Sequence, residues 1–507
     1  MLVFKCKIDK DGYLDKLKVR LVFRGDLVPH DDVDTWNPHA SWIALRIFLA
    51  NCAKYRMTPS QYDFIQAYLQ CDVPEPLFCR LSDKYTGYVP DSLKPYCGVG
   101  LRCLKALYGW HRSGQLLWQA VESFLRKFGF KQSVANKALW YLRTDDGKFL
   151  QVLQYSDDGI FAGNDTPLKN KFIRALKQVF DCNVSDIADW YLQSRIKQDK
   201  DFNITLDQQR YCLSMLRRFL PNLPDKPSAS DLVKYANPLP YEFKWTKEDR
   251  SKTPEEVKTL EKEFGFRYIE AVGSLNWLSN TAFKQMFAIR KACKFMNLPG
   301  RNHFHAVQHL MLHMWCHPPK PLKYYSDVRK SPLAKFLIDA SLRDVDPFYV
   351  MFTDSSFADC DNARSTGGYV ILYQGGIVDM GSFVPQPIAQ STCEAESNAQ
   401  CVAIMSSRHV TKMLMELTFS DPERPFTLPV LTDSSSSIAQ ANSDKTSKSS
   451  RHIERGFQYV RHAILTGLAI LYFVSGNQFQ LADILTKALT HLQSHEKLAI
   501  VEAQPHS

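Results

Sequence analysis

The sequence lacks the features that define several common classes of protein. Its 13 cysteines form no C-x-x-C pair and no cysteine-histidine spacing typical of a zinc finger, so a structural zinc site is not expected. Their odd number, without a secretory leader at the N-terminus, indicates a reduced, intracellular protein. No apolar run reaches the ~20 residues that cross a bilayer, and the longest, residues 464–474, is interrupted. We expect no membrane partner.

The charge balance and the length set broad limits on the kind of protein. Lysine and arginine outnumber aspartate and glutamate by 63 to 53, which gives a net charge of +10. Such an excess mildly favours a polyanionic partner such as nucleic acid. With 507 residues, of which 45% are hydrophobic and 23% charged, the composition is that of a globular protein with about three folded units.

Two adjacent aspartates, Asp157 and Asp158, lie between two apolar runs at residues 149–153 and 159–162. This pattern predicts a strand-turn-strand hairpin with the carboxylates at its tip. Two like charges this close raise each other's proton affinity unless a cation holds both ionised. A divalent metal is one interpretation, and a solvated turn is the other.

A second aspartate, Asp63, lies in an aromatic run that includes Tyr68. A charge in such a run is costly to bury unless it is paired or bound to a metal, and the aspartate pair is its nearest plausible partner. Near the N-terminus, basic and apolar residues alternate through Lys18 and Arg20, which places the charges on one face of a strand. They could contact phosphates or form a solvated face.

The middle of the chain predicts helices and one ambiguous feature. We predict a turn at residues 9–12, helices at 41–55 and 116–128, and a hairpin over 191–206. We also predict a linker or surface loop over 221–240, a helix capped by Thr253 and a longer helical region over 268–295. Histidines then recur every four residues, at His305, His309, His313 and His317. On a helix they share a face that could bind zinc. Since no acidic ligand accompanies them, a packed or nucleic-acid-facing surface is the favoured interpretation.

The last third of the sequence predicts its own acidic site. Two strands end in Thr-Asp-Ser, at Asp354 and Asp433, while Glu394 opens a helix and Asp483 lies on the final helix. The predicted order β-β-β-α-β-α-α-β-α resembles ribonuclease H. Any one of these acids alone is better explained as a helix cap or a surface residue. Gathered together without basic partners, the four carboxylates require divalent cations.

The motifs and their order resemble the reverse transcriptase of copia-type LTR retrotransposons. The shared motifs are K-V-R-L-V at 18–22, D-F-I-Q-A-Y-L at 63–69, L-Y-G at 107–109, Y-S-D-D at 155–158, R-S-T-G-G-Y at 364–369 and A-D-I-L-T-K at 482–487. The likeness covers residues 2 to about 490. The sequence departs from the family at Ser156, where an apolar residue is usual, and at Arg112, where many members have glutamine beside the incoming nucleotide.

The resemblance implies two metal-dependent active sites. Asp63, Asp157 and Asp158 would be catalytic ligands of two Mg²⁺ ions, with Mn²⁺ as an alternative. Lys18, Arg20 and Arg112 would bind substrate, and Tyr68 would exclude a ribose 2′-hydroxyl. The second site would hold two more ions on Asp354, Glu394, Asp433 and Asp483. The implied partners are an RNA template, a DNA primer, the RNA-DNA hybrid and deoxynucleoside triphosphates.

The expected fold is α+β, a right-hand polymerase followed by a helical connection and a ribonuclease H-like domain with a five-stranded mixed sheet. We expect fingers and palm at residues 1–207, thumb and connection at 208–345, the nuclease at 346–492 and a tail at 493–507. The expected function is RNA-directed DNA synthesis with ribonuclease H activity, in cytoplasmic virus-like particles and the nucleus. The first alternative is a decayed or co-opted element that binds nucleic acid without polymerase activity. The second is a nuclease in which only the C-terminal domain is active.

Overall fold

The chain folds as two units that are each discontinuous in sequence. A computed structural model describes residues 1–8, 14–28, 35–240, 243, 246–360, 362–386, 388–418, 426–443 and 454–502. Unit 1 comprises Met1–Ser41 and Pro59–Ile187, and unit 2 comprises Trp42–Thr58 and Ala188–Ser507. The turn predicted at residues 9–12 lies outside the described residues. Among the helices that the structure describes, none is long and apolar enough to span a membrane.

Helix α1 (Trp42–Lys54) belongs to unit 2 although it is encoded between the two segments of unit 1. Its central residues are buried on every side, as expected for a helix inside a core. The Arg46 guanidinium donates to the carbonyl oxygens of Asn280 at 2.5 Å and Val378 at 3.2 Å. These contacts hold α1 within the C-terminal part of the chain.

Unit 1 contains a six-stranded antiparallel sheet covered by two helices. The strands that the structure describes in the whole of unit 1 are β1 (Leu2–Ile8), β2 (Leu14–Leu21), β3 (Ser60–Phe64), β4 (Asp72–Arg80), β5 (Gly100–Lys105), β6 (Lys131–Gln132), β7 (Leu139–Arg143), β8 (Phe149–Tyr155), β9 (Asp158–Gly163) and β10 (Cys182–Ser185). The helices of unit 1 are α2 (Ser113–Phe128) and α3 (Thr166–Val179). The sheet order is β10-β3-β9-β8-β7-β6, and β1-β2 and β4-β5 form separate hairpins. Phenylalanines from both helices and the sheet form the core, with Phe124, Phe161 and Phe172 in contact.

Unit 2 begins with a small sheet and a helical region. Its first elements are β11 (Trp190–Tyr191), β12 (Ser194–Gln198), β13 (Ile204–Asp207), α4 (Gln209–Phe219), α5 (Ala229–Lys234), α6 (Pro254–Phe264), α7 (Tyr268–Leu278), α8 (Met286–Cys293), α9 (Arg301–Cys316), β14 (Leu322–Tyr324) and α10 (Pro332–Asp339). Helices α4 and α6 to α9 share one apolar core. Helix α6 starts as predicted, because the Thr253 hydroxyl accepts from the Glu256 amide at 3.3 Å.

The rest of unit 2 is a five-stranded mixed sheet with helices. Its elements are β15 (Tyr349–Ser356), β16 (Thr366–Tyr373), β17 (Gly376–Phe383), α11 (Thr392–Leu417), β18 (Leu428–Thr432), α12 (Ser435–Asn442), α13 (Glu454–Leu465), β19 (Ala469–Phe473), α14 (Gly476–Phe479) and α15 (His491–Leu498). The sheet order is β17-β16-β15-β18-β19, and β18 runs parallel to both of its neighbours. The predicted mixed α+β architecture is confirmed.

The helical region predicted over residues 268–295 contains two helices, α7 and α8. Two other predicted elements differ from the structure. The linker or surface loop expected over 221–240 contains α5, which Ser228 caps through a hydrogen bond from the Asp231 amide. The final helix expected around Asp483 is a short 3₁₀ helix, Leu481–Leu485. In each case tertiary packing overrides a local pattern that is compatible with more than one structure.

The histidine stripe lies on α9 and its C-terminal cap, and it is a packed surface. His313 is fully buried and its Nδ1 lies 2.7 Å from the Tyr235 carbonyl oxygen. His309 and His317 make similar contacts with carbonyl oxygens of residues 237 and 232. Because these three rings bind carbonyl oxygens of α5 and of the residues just after it, the packed-surface interpretation explains their spacing.

Candidate active sites in the two units

The predicted aspartate hairpin is formed by β8 and β9 in unit 1. Tyr155 pairs directly with Asp158, which leaves residues 156 and 157 as the loop. Ser156 adopts a positive φ of 51°, a conformation that is uncommon for a residue with a side chain. The Gln154 amide nitrogen donates to the Ser156 carbonyl oxygen at 2.8 Å. A buried amide therefore holds the loop from within the sheet.

Tyr62, on the neighbouring strand β3, fixes the base of the hairpin. Its hydroxyl donates to the Gln154 side-chain carbonyl, and its ring lies against Gly159. A Cβ atom at residue 159 would lie 2.1 Å from the ring carbon Cζ. Glycine after the aspartate pair is thus required by the close approach of this ring.

Two of the three predicted carboxylates of unit 1, Asp63 and Asp158, lie side by side on β3 and β9. Asp63 pairs directly with Asp158 in the antiparallel register, and Asp157 is in the adjoining loop. Burial raises the pKa of Asp158 to about 7, reinforced by the negative charge of Asp157 and by a hydrogen bond with Asp63. A bound cation would lower the pKa of Asp158 again and keep the carboxylates ionised. The three carboxylates are therefore electrostatically suited to binding a cation.

Aromatic and basic side chains lie next to these carboxylates. The Tyr68 hydroxyl is 3.3 Å from the Ser156 hydroxyl, and its ring centroid is 4.7 Å from that of Tyr108. The Arg20 guanidinium carbon lies 5.4 Å from the Tyr108 centroid. Burial, followed by the charge of Asp157, raises the pKa of Tyr108. The structure thus groups Tyr68, Tyr108 and Arg20 around the hairpin tip.

The other two predicted substrate-binding residues have different surroundings. Lys18 is half-buried on β2, two residues before Arg20, so both project from the same face of the strand. Arg112 forms an ion pair with Glu75, and its guanidinium carbon is 5.9 Å from the Trp110 centroid. The structure commits Arg112 to this ion pair, and its substrate-binding role stays a prediction.

In unit 2, three of the four predicted carboxylates converge. Asp354 is on β15 and is 1% exposed, Asp433 follows the parallel neighbour β18, and Asp483 is on the 3₁₀ helix at 481–485. One carboxylate oxygen from each lies within 4.8 Å of the other two. In the described part of the chain, this is the one such group of three or more potential metal ligands.

The fourth carboxylate at this site is Glu396 rather than the predicted Glu394. Glu396 accepts a hydrogen bond from the Ser355 amide at 3.1 Å, and its pKa is raised well above the usual value by burial and by the charges of Asp354 and Asp433. Glu394 instead accepts from the Gln390 amide at 2.7 Å. The two residues are about 200° apart around the helix axis, so only one of them can face the aspartates.

Two lysines contact the acidic cluster, which corrects the expectation that it lacks basic partners. The Lys487 ammonium lies 2.8 Å from Asp483 Oδ1 and 3.5 Å from Asp354 Oδ2. Lys497, itself 2% exposed, donates to Asp483 Oδ2 at 2.8 Å and to the Gly476 carbonyl oxygen at 2.7 Å. The motif A-D-I-L-T-K contains Lys487, but no signal in the sequence identified Lys497.

The acidic cluster fits a divalent metal ion. Four carboxylates face two ammonium groups, so negative charge is in excess when all are ionised. Burial raises the pKa of Asp354 to about 7, reinforced by the charge of Asp483 and opposed by Lys487. One oxygen of Glu396, Oε2, is buried without a hydrogen-bond partner. Hard oxygen ligands with unmet charge are the donor set that Mg²⁺ and related ions prefer.

The two C-terminal sequence motifs pack directly on each other. Gly368 of R-S-T-G-G-Y lies on β16, and a Cβ atom there would be 2.8 Å from Cβ of Leu485 and Cγ2 of Thr486. The absence of a side chain at residue 368 therefore lets the 481–487 segment reach the sheet. The Thr486 hydroxyl then donates to Asp354 Oδ2. The motif A-D-I-L-T-K thereby orients Asp354 on β15.

A basic groove adjoins the acidic cluster within unit 2. It is a cavity of about 750 Å³ whose lining includes six cationic residues, Lys247, Arg250, Lys291, Lys294, Arg364 and Lys487, and one acid, Asp359. Lys291 forms an ion pair with Asp359 at 2.8 Å. Since Lys487 contacts both the groove and the aspartates, positive charge extends up to the acidic cluster.

Comparisons with known proteins show what the chain is similar to. Residues 1–226 match the profile of the family described as "Reverse transcriptase (RNA-dependent DNA polymerase)". The retrovirus-related Pol polyprotein from transposon TNT 1-94 of Nicotiana tabacum is 24% identical over 96% of this chain and 34% of its own length. The corresponding protein from transposon RE2 of Arabidopsis thaliana is 23% identical over 99% of this chain and 32% of its own length.

The stated resemblance to copia-type retrotransposon Pol polyproteins is thereby confirmed over nearly the whole chain. The chain spans about one third of the curated relatives it matches. Among solved structures, a foamy viral protease-reverse transcriptase in complex with RNA/DNA hybrid covers 91% of this chain and 49% of its own, with a TM-score of 0.39 and 11% identity.

Proposed function

We propose that the chain is an RNA-directed DNA polymerase with ribonuclease H activity, which copies RNA into DNA and degrades the RNA strand of the hybrid. The observation that carries the proposal is the convergence of Asp354, Asp433 and Asp483, with Glu396 in the place first assigned to Glu394. The family match of residues 1–226 supports the polymerase half. In this proposal fingers and palm occupy 1–207, thumb and connection 208–345, the nuclease 346–492 and a tail 493–507.

Both sites would hold divalent cations on their carboxylates. When bound, two Mg²⁺ ions per site, with Mn²⁺ as an alternative, would activate the attacking oxygen and stabilise charge on the transferred or cleaved phosphate. The ligands in unit 1 would be Asp63, Asp157 and Asp158. In unit 2 they would be the three converged aspartates and Glu396.

In the nuclease, residues of the chain would fix these ligands and the substrate. The Ser355 amide orients Glu396, and the Thr486 hydroxyl orients Asp354. Lys487 keeps Asp354 and Asp483 together before a cation binds. The basic groove would bind the phosphate backbone of the RNA-DNA hybrid, since it presents an excess of positive charge next to the carboxylates.

In the polymerase, the residues around the hairpin tip would bind the template, the primer and the incoming nucleotide. Arg20 and Lys18 share a strand face and would neutralise triphosphate charge. Tyr68, which contacts the hairpin tip through Ser156, would pack against the sugar of a deoxynucleoside triphosphate and exclude a 2′-hydroxyl. Synthesis in cytoplasmic virus-like particles, with a later nuclear step, belongs to the same proposal.

A second candidate is a nuclease that binds nucleic acid without polymerase activity. It is favoured by a difference between the sites: among the described residues, only the unit 2 acids converge within 4.8 Å. It is also favoured by Arg112, which is paired with Glu75 rather than presented to a nucleotide. The family match of residues 1–226 favours the combined function.

Matched aspartate variants test the proposal. With Mg²⁺ and a homopolymer RNA template, Asp158→Asn should abolish primer extension and leave cleavage of a labelled RNA-DNA hybrid intact. Asp354→Asn should do the reverse, because each variant removes a ligand from one site only. Primer extension that is absent in the unsubstituted chain, despite template binding, would support the nuclease-only candidate. Undiminished cleavage by Asp354→Asn would overturn the nuclease assignment.

A further inference from the structure

A second cavity in unit 2 is lined by neither the acidic cluster nor the basic groove. It has a volume of about 360 Å³ and is bounded by the end of α9, the segment before α8, the start of β17 and the helix α15. The polar side chains that matter here are Lys284, His317, Lys320, His491, His495 and Glu502. Three separate segments of the chain therefore contribute them.

The cavity holds more positive than negative charge. Glu502 is the one acidic residue of its described lining, and its carboxylate is already bound by the Lys320 ammonium at 2.5 Å. The half-buried Lys284 donates to the Ala236 carbonyl oxygen at 3.2 Å. Burial lowers the pKa of Lys284 to about 8, with a smaller opposing effect of Glu502. Lys284 is thus a desolvated cation whose nearest carboxylate has another partner.

Three histidines add further hydrogen-bond donors to the same cavity. The ring centroid of His491 lies 6.1 Å from that of His317 and 6.5 Å from that of His495. Burial and the nearby Lys284, His317 and His495 lower the pKa of His491. The cavity therefore brings together lysines, which carry positive charge, and histidines, which can accept it. Bringing such groups together costs free energy unless an anion offsets their charge.

A transition metal is the main alternative ligand for three neighbouring histidines. Two features of the cavity argue against it. The ligand atoms of these histidines are not among those that converge within 4.8 Å in the described part of the chain. In addition, Lys284 and Lys320 would repel a cation. Both features favour an anion.

We propose that this cavity binds a phosphate group through Lys284, Lys320 and the three histidines. Ammonium and imidazole groups donate hydrogen bonds to phosphate oxygens, and charge-assisted bonds of this kind are among the strongest in proteins. A cavity of this size accommodates a phosphate with part of the molecule that carries it. The source of the phosphate is either a free nucleotide or polyphosphate, or the backbone of a nucleic acid strand. The proposal does not depend on the activities proposed above.

The test is isothermal titration calorimetry on the full chain, with inorganic phosphate and pyrophosphate as probes. The buffer contains EDTA, so that metal-dependent binding at the acidic sites does not contribute, and sodium chloride at equal ionic strength is the reference. We expect that one of the sites detected is weakened at least tenfold in the variant with both His491→Gln and His495→Gln, while any binding at the basic groove is unchanged. The matched control, Lys330→Gln, replaces an exposed lysine outside the cavity and should bind normally. If the double variant cleaves the RNA-DNA hybrid at the rate of the unsubstituted chain and has the same free energy of unfolding, the substitutions have not disturbed the fold.

Competition then identifies the source of the phosphate. Displacement of pyrophosphate by a single-stranded oligonucleotide would assign the site to a nucleic acid backbone, and displacement by a nucleoside triphosphate alone would assign it to a free nucleotide. Absence of phosphate binding beyond the chloride reference would overturn the proposal, as would equal binding by the double variant. In a separate titration without EDTA, stoichiometric binding of Zn²⁺ that is lost in the same variant, without phosphate binding, would replace the proposed anion site with a metal site.

Discussion

The two acidic sites of this chain neutralise their charge in different ways. In unit 2, Lys487 and Lys497 contact Asp354 and Asp483 directly, and these two aspartates are buried while Asp433 is half-buried. In unit 1, the described residues provide no ion pair to Asp63, Asp157 or Asp158, and Asp63 remains exposed to solvent. Burial and like charges raise the pKa of one aspartate in each site to about 7.

Because, in the part of the chain that the structure describes, only the unit 2 site has lysine counter-ions, the two sites should differ in how much their geometry depends on a bound metal. The unit 2 site has internal counter-ions, so we expect it to keep its geometry without a metal. The unit 1 site relies on solvent and on a hydrogen bond between Asp63 and Asp158, so a cation should change its geometry more. The following predictions test that contrast, beginning with the largest expected effect.

Removal of a buried counter-ion should have the largest effect. We expect Lys497→Met to lower the free energy of unfolding of unit 2 by about 3–5 kcal/mol, because it leaves Asp483 buried with one ammonium partner fewer. Urea unfolding of the metal-free chain measures this. The control is Arg329→Gln, which breaks an exposed ion pair with Asp327 and should cost less than about 1 kcal/mol. Equal effects of the two variants would contradict the claimed role of Lys497.

The two glutamates at the start of α11 should differ in activity. We expect Glu396→Gln to slow cleavage of an RNA-DNA hybrid about a hundredfold, or about 2.7 kcal/mol in the activation free energy, since it removes an oxygen ligand beside Asp354. Glu394→Gln is the matched control, since its carboxylate binds the Gln390 amide, and its rate should change less than threefold. The opposite ranking would restore the assignment made from sequence.

The pH dependence of stability should reveal the carboxylate with the raised pKa in each site. Between the unfolded pKa near 3.8 and the folded value of about 7, the folded chain holds a proton that the unfolded chain releases. Stability in EDTA should therefore fall as pH rises from 5 to 8, by roughly 1 kcal/mol or more per site. Asp158→Asn and Asp354→Asn should each flatten the unfolding curve against pH. Added Mg²⁺ should restore stability at pH 8, and a slope unchanged in both variants would contradict this account.

Local patterns in the sequence predicted the strand ends and the hairpin that carry the aspartates. The apolar runs on either side of Asp157 and Asp158 define two strands of a buried sheet, and an antiparallel pair then fixes the loop. Parallel neighbours likewise bring Asp354 and Asp433 to the same edge of the second sheet. These results follow from periodicity and turn position alone.

Local sequence patterns could not predict which side chains of a helix face the site, or which contacts form between residues far apart in the sequence. Both Glu394 and Glu396 lie in the first turns of α11, and the sequence pattern did not distinguish their directions. The signal was the S-x-x-E arrangement of Ser391 and Glu394, which predicts a capping role for Glu394; the Ser391 hydroxyl does accept from the Glu394 amide. Lys497 reaches Asp483 from another helix, and no local pattern specifies such a contact.

The placement of α1 in unit 2 has a consequence for how the chain is made. The ribosome completes this helix early, but its partners, the carbonyl groups of Asn280 and Val378 that bind Arg46, emerge more than two hundred residues later. At about 5–20 residues per second, that interval is on the order of 10–70 seconds. During it, an apolar helix has no native core to enter, so we expect nascent chains to depend on chaperones at this stage. A nuclease fragment expressed without residues 42–58 would lack this helix altogether.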